Sequence, residues 1–157
     1  MNRILIQLRS AMYRDGVKRA DWYRRKGIFG AIGEQVMIQS FRLPYNAKEI
    51  FIGDNVRIAS DVIFITHDVV HKMLNNIPEL DYTFQEKQGS INIGNNVFIG
   101  ENTRILYNVT IGNNVIVGAG SVVTKALPDN TVCAGNPCRP IGSFGSFVEK
   151  RKNMNRE

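Results

Sequence analysis

Two histidines, His67 and His71, are the side chains of this chain best suited to moving a proton near neutral pH, since an unperturbed imidazole titrates at about 6.5. Both lie in the polar stretch THDVVHKMLNNIPELDYTFQEKQGS, residues 66–90. His67 stands at the root of that stretch, just past the apolar segment IASDVIFI. A rigid element would therefore hold it, and a mobile loop tip would not. Asp68 is near enough in sequence to orient an imidazole, but neighbours on an extended strand point to opposite sides, so it is not given that role. Glu79, Asp81 and Glu86 read as solvated. Cys133 and Cys138 are the only cysteines, and a CxxxxC pair matches no zinc spacing, so no metal site is expected.

What must position these groups is a repeat. Ile93, Ile99, Ile105, Ile111, Val117 and Val123 fall at every sixth position, and Val97, Thr103, Val109 and Val115 make a second row at the same period. Gly94, Gly100, Gly112 and Gly118 follow members of the first row, and Asn-Asn pairs recur at 95–96 and 113–114. A helix requires apolar residues at i, i+3, i+4 and i+7, and a half-buried strand alternates. A period of six fits neither. It reads as a parallel β-helix, in which each hexapeptide is a short strand plus a turn and the aliphatics face a shared interior. Gly and Asn would supply corners that tolerate positive φ. Three sides close a triangular coil, so residues 93–110 and 111–128 would be successive coils, stacked at about 4.8 Å. A β-sandwich fits poorly, because sandwich strands vary in length and spacing.

The remaining segments are read around that coil. Residues 2–26 have helical character, with Ile4, Leu5, Leu8 and Met12 on one spacing, an interruption at Gly16, Trp22 as a packing anchor and a stop at Gly27. The repeat begins at Ile32-Gly33, stumbles at Arg42-Leu43-Pro44 and resumes at Ile52. Residues 66–90 break the period and are read as a loop thrown from one corner; loops of that length in a compact domain tend to be functional. Pro128, Pro137 and Pro140 are expected to end the repeat, and residues 144–157 to form a short helix running into a charged tail. The organisation is then a helical segment at 1–29, the coil at 30–142 with its loop, and the C-terminal helix and tail at 143–157.

Three segments carry a resemblance to a known family: IASDVIFITHD, IGNNVFIGENTRILYNVTIGNNVIVGAGSVVTK and AGNPCRPIG. Across residues 30–142 the sequence resembles the hexapeptide-repeat acyltransferases, and within them the sugar O-acetyltransferases of galactoside, maltose and surface-polysaccharide type. The resemblance implies a mainly β fold, a left-handed parallel β-helix with short helices at either end; handedness comes from the resemblance alone. It implies acetyl-CoA as acyl donor, a sugar or polysaccharide hydroxyl as acceptor, and His67 as general base for direct transfer. It places the backbone N–H at Glu101 as oxyanion donor, Ala119 along the pantetheine, Thr124 and Lys125 against the far part of coenzyme A, and Arg139 at its phosphate end. Phe98 stands where many relatives carry Trp, and no arginine follows Pro140, where Ile141 and Gly142 stand. His71 would line the acceptor pocket or the surface. The resemblance also implies a homotrimer with sites between subunits.

Other classes are weighed against this one. The zinc-dependent hexapeptide proteins need three histidine ligands, and this chain has two histidines, both in one loop. A non-catalytic scaffold would have no use for the cofactor segments. N-acetylation of an amino sugar is the alternative chemistry. Much of the formal net charge of +6 sits at the ends of the chain and reads mainly as solvated helix faces, with attraction of an anionic small molecule or membrane surface as a further option that charge alone does not decide. No basic stripe with interleaved aromatics runs through the repeat, so nucleic acid is not expected. No apolar run approaches the ~20 residues that span a bilayer. The first ten residues lack the features of a signal peptide, and the cytoplasm is the expected location, with both thiols reduced.

Overall fold

Eighteen residues separate Ile93 from Ile111, and the two stand side by side on adjacent parallel strands. The same step pairs Ile99 with Val117 and Ile105 with Val123. The computed structural model describes residues 2–154; Met1 and residues 155–157, the outer ends of the two expected terminal segments, lie outside the described residues. Among the described residues no helix is long and apolar enough to cross a membrane.

The coil has three faces. The first stacks β1 (Ala31–Ile32), β3 (Ile50–Ile52), β6 (Ile91–Ile93) and β9 (Val109–Ile111). The second stacks β2 (Met37–Ile38), β4 (Val56–Ile58), β7 (Val97–Ile99), β10 (Val115–Val117) and β12 (Thr131–Ala134). The third has β5 (Ile63–Ile65), β8 (Arg104–Leu106) and β11 (Val122–Val123). Both aliphatic rows of the repeat are buried, Thr103 with them, and its hydroxyl reaches the Gly118 carbonyl at 3.3 Å. Among the described residues the third face has no strand before β5, where the repeat stumbles, and Leu43 in that stretch is buried.

The corners depart in part from the sequence expectation. Asparagine, more than glycine, takes the left-handed backbone: Asn55, Asn96, Asn114 and Asn130 have φ of 53°, 56°, 54° and 59°. Asparagine tolerates this region because its short amide finds local partners, and here each amide donates to the next at 2.8–2.9 Å, a ladder down one edge. Gly94 and Gly100 do not have positive φ. They are required by close approach: a Cβ on Gly94 would sit 2.8 Å from the Gly112 carbonyl oxygen, and one on Gly100 2.5 Å from the Ala119 nitrogen.

The terminal segments differ from expectation in three places. Gly16 does not end the first helix; it opens the second, α2 (Gly16–Arg25), after α1 (Arg3–Ala11), with Asp15 as N-cap. Only glycine fits there, since a Cβ would lie 2.9 Å from the Ile38 carbonyl oxygen. Gly27, at φ 56°, follows the end of α2 as expected, and Trp22 is buried between Tyr13 and Tyr23 at centroid distances of 5.9 and 5.5 Å. Arg19 is not on a solvated face: it is fully buried where α2 meets β2. At the other end the repeat outlasts Pro128, because Leu127 bridges to Ile111 and β12 pairs in parallel with β10. Only then does β13 (Arg139–Ser143) turn back antiparallel and lead into α4 (Phe144–Met154).

Candidate active site

The corner after β5 is where the chain leaves the coil, and His67 stands there. The two legs of the excursion are zipped: Gly89 N–H donates to Thr66 C=O at 2.9 Å, Asp68 N–H to Lys87 C=O at 3.0 Å, and His67 bridges to Gln88. The backbone at His67 is therefore part of a ladder continuous with β5. Beyond it the excursion carries a short helix, α3 (Val70–Leu74), where the sequence predicts only loop. Asn75 pins α3 to the returning leg, accepting from Phe84 N–H at 2.8 Å and donating to Phe84 C=O at 3.0 Å.

The His67 ring is half-buried and lies 5.1 Å, centroid to centroid, from the exposed ring of Tyr45. Its Nδ1 is buried and has no hydrogen-bond partner among the described residues. Asp68 turns away from the imidazole, as strand alternation requires. Its carboxylate accepts from Tyr107 Oη at 2.6 Å and from Val70 N–H at 3.0 Å. The Tyr107 hydrogen bond, then the Val70 amide, holds the Asp68 carboxyl below the usual carboxylate range, and the same bond pushes the Tyr107 phenol up. The sign follows: a depressed carboxylate pKa favours the folded state above its ordinary value and loses that contribution as pH falls through the depressed one. Replacing Tyr107 by phenylalanine is expected to move the Asp68 titration upward, read by carboxyl carbon NMR; an unmoved titration would show that the bond does not form in solution. Asp68, His71, Phe84 and Tyr107 share a cleft of 290 Å³ on this side of the loop. Glu79, Asp81 and Glu86 are exposed.

The residues assigned to the cofactor fall on two corners. Glu101 follows β7, Ala119 follows β10, and Arg139 pairs with Ala134 at the end of β12, so these three descend the corner between the second and third faces. Gly120 N–H donates to Glu101 C=O at 2.8 Å, which stacks the turns. Gly100 N–H goes to Val117 C=O and Asn102 N–H to Ser60 C=O, while the Glu101 N–H between them stays out of that backbone ladder. Ser121 braces the turn below, donating to Gly118 C=O at 2.6 Å and accepting from Gly135 N–H at 3.2 Å. Thr124 and Lys125, both exposed, follow β11 and so share the His67 corner, two coils further on. Within one chain the third face separates His67 from Glu101, Ala119 and Arg139. Phe98 is exposed on the outside of the second face.

Sequence reasoning missed Tyr45 and Tyr107. Tyr107 had a faint signal: Asn108 N–H bonds Ser90 C=O, eighteen residues earlier, so counting one coil back from Tyr107 lands on the returning leg of the loop. Tyr45 had none, because it lies in the stumble of the first coil. Among the described residues no three His, Cys, Asp or Glu side chains group closely enough to hold a metal ion.

Residues 90–125 match the family described as bacterial transferase hexapeptide (six repeats). Over 93 residues the chain is 48% identical to the galactoside O-acetyltransferase of Escherichia coli (strain K12), a match covering 59% of this chain and 43% of that protein. The chain spans about half the length of the curated relatives it matches. Its fold is similar to that of a maltose O-acetyltransferase from Clostridium difficile 630, with a TM-score of 0.63, 29% identity and coverage of 90% of this chain and 85% of that one. A galactoside acetyltransferase in complex with coenzyme A gives a TM-score of 0.62 at 29% identity, covering 92% of this chain and 84% of that one. The coil is the left-handed parallel β-helix that the resemblance implies.

Proposed function

We propose that this chain, a hexapeptide-repeat protein similar to the sugar O-acetyltransferases, transfers an acetyl group from acetyl-CoA to a hydroxyl of a sugar or polysaccharide precursor, with His67 as general base. The observation that carries the reading is the placing of His67: an imidazole anchored by a backbone ladder at a coil corner, not bonded to the neighbouring carboxylate, and facing an open aromatic ring. An imidazole so held is free to accept a proton from a bound hydroxyl and to return it.

The residues divide the work. Acetyl-CoA supplies a thioester already activated for acyl transfer. His67 removes the hydroxyl proton as the oxygen attacks the thioester carbonyl; the new C–O bond forms, the C–S bond breaks, and His67 returns the proton to the departing sulfur. No covalent link to the protein is needed. The Glu101 N–H, left out of the backbone ladder, is suited to donate to the oxygen that gains charge. Its side chain is exposed and is given no role. Small, exposed Ala119 leaves room for a narrow chain to pass along the corner, and the Arg139 guanidinium at the foot of that corner suits a phosphate. Thr124 and Lys125 mark the neighbouring corner. These two half-sites make one complete site if the His67 corner of one subunit faces the Arg139 corner of the next, as three-fold closure provides.

The test is acetyl-CoA binding by titration calorimetry, wild type beside Arg139→Ala. Loss of a charged hydrogen bond to phosphate is expected to weaken binding by about 1.5–3 kcal/mol, roughly 10- to 100-fold. No binding by the folded wild type would overturn the donor assignment and leave a scaffold.

A further inference from the structure

Tyr45 is the ridge between the candidate base and a cationic cleft. Its ring meets His67. The Arg3 guanidinium also lies 5.4 Å from the ring centroid and donates to Leu43 C=O at 2.8 Å. Behind them a cleft of 570 Å³ opens between α1, the end of α2 and the first coil, and its walls carry Arg3, Arg9, Lys26 and Lys48. A smaller pocket on the Pro44 side adds Arg42 beside Arg3. No carboxylate lines either, and none of these five cations belongs to an ion pair among the described residues, where the pairs engage Arg24 and Lys152.

Like charges gathered in a cleft with apolar walls repel one another and raise a positive potential that concentrates anions there. No ion pair among the described residues offsets it. We infer that this cleft binds the phosphate or diphosphate of the acceptor, with the sugar laid on Tyr45 so that a hydroxyl reaches His67. The inference rests on the acetyltransferase reading and adds the acceptor's class: a sugar carried on phosphate, not a free neutral sugar. Arg and Lys both suit phosphate oxygens, the first through its planar fork and the second as a point charge. An exposed tyrosine offers an amphipathic face on which a sugar ring can lie without leaving a buried polar group unpaired. The volume is within the range of small-ligand clefts. The cleft is distinct from the expected cofactor corner: it sits at the first coil, whereas Glu101, Ala119 and Arg139 descend the later ones. A carrier of either kind, a nucleoside or a long-chain lipid, would present the same diphosphate.

Inorganic pyrophosphate is the probe, titrated by calorimetry into wild type and into the Lys26→Ala/Lys48→Ala double variant; both lysines are exposed, so folding is not at stake. Acetyl-CoA binding is measured on the same samples. Pyrophosphate binding that weakens at least tenfold in the double variant, with acetyl-CoA binding equal in both proteins, is the expected result. Equal pyrophosphate binding in both proteins, or none in either, overturns the inference and leaves the acetyltransferase reading standing. Displacement of pyrophosphate by coenzyme A also overturns it, since the cleft would then serve the donor. Absent acetyl-CoA binding with retained pyrophosphate binding removes the acceptor assignment together with the donor. Competition by a nucleoside diphosphate sugar or by a prenyl diphosphate sugar in detergent then separates the two carriers.

Discussion

On the proposed chemistry, His67→Ala is expected to lower acetyl transfer by about 10²- to 10⁴-fold and to leave acetyl-CoA binding close to wild type. The size follows from the chemistry. A sugar hydroxyl is a poor nucleophile while it keeps its proton, and the neighbouring candidates are otherwise placed: Asp68 is bonded to Tyr107, and His71 lies on α3, around the loop from His67. The fall appears in kcat with KM for acetyl-CoA little changed, because the imidazole acts when the hydroxyl attacks and not when the donor binds. A protein that acetylates an amine loses much less, since an amine needs less help, so the same variant separates the two chemistries. The proposed split of the site across two corners adds a second readout. If the chain assembles as the proposed trimer and each site draws on two chains, mixed assemblies of His67→Ala and Arg139→Ala subunits are expected to regain part of the activity, because some interfaces then hold both intact half-sites. Equal activity in wild type and His67→Ala would remove the base assignment; full inactivity of the mixture would place the site within one chain.

The coil was legible because its physics is periodic. One aliphatic per hexapeptide, a small residue after it and Asn-Asn at alternate corners predict three faces and an eighteen-residue step, and Ile93 beside Ile111 and Val97 beside Val115 are where that step puts them. His67 could be placed at a root because the period stops one residue before it. What stayed hidden was aperiodic. Tyr45 sits in the coil whose register slips, so nothing in its spacing points toward a histidine more than twenty positions on. Tyr107 reaches Asp68 across an interrupted coil, and α3 is too short to show a helical period. The glycine expectation was incomplete for a related reason: sequence shows that a small residue is required, but not whether φ or a neighbouring backbone requires it. At Gly100 it is the neighbour, the Ala119 nitrogen.

Arg19 is the sharpest case of a residue that composition misplaces, and its removal has the largest expected effect on stability. A basic residue on a basic helix reads as solvated, yet this guanidinium is 1% exposed. Four hydrogen bonds make it a clasp: Nε donates to Ser10 C=O at 3.1 Å, Nη1 to Ile38 C=O at 2.6 Å and Gln39 C=O at 3.0 Å, and Nη2 to Tyr13 C=O. The Phe41 ring covers it at 4.1 Å. Those carbonyls come from the end of α1, the turn after it and β2, so one side chain ties both helices to the first coil. Burial pushes the Arg19 pKa down, with Tyr23 and Asp15 acting in the opposite direction, but an arginine starts so high that it keeps its charge. Arg19→Met keeps the apolar stem and removes every donor, taking away the side-chain partner of the Ile38, Gln39 and Tyr13 carbonyls, while Ser10 C=O keeps the Tyr13 N–H. The expected loss is about 3–5 kcal/mol, a large share of the roughly 5–15 kcal/mol that holds a typical domain together. Arg19→Lys restores little, since an ammonium at one point cannot span carbonyls arranged around a fork. Urea unfolding of the two variants beside wild type measures the loss. Because α1 and α2 border the cationic cleft, pyrophosphate binding is expected to fall with stability in Arg19→Met, while acetyl-CoA binding at the later coils persists wherever the protein remains folded. A loss below about 1 kcal/mol would mean that water satisfies those carbonyls and that the helices hold to the coil by packing alone.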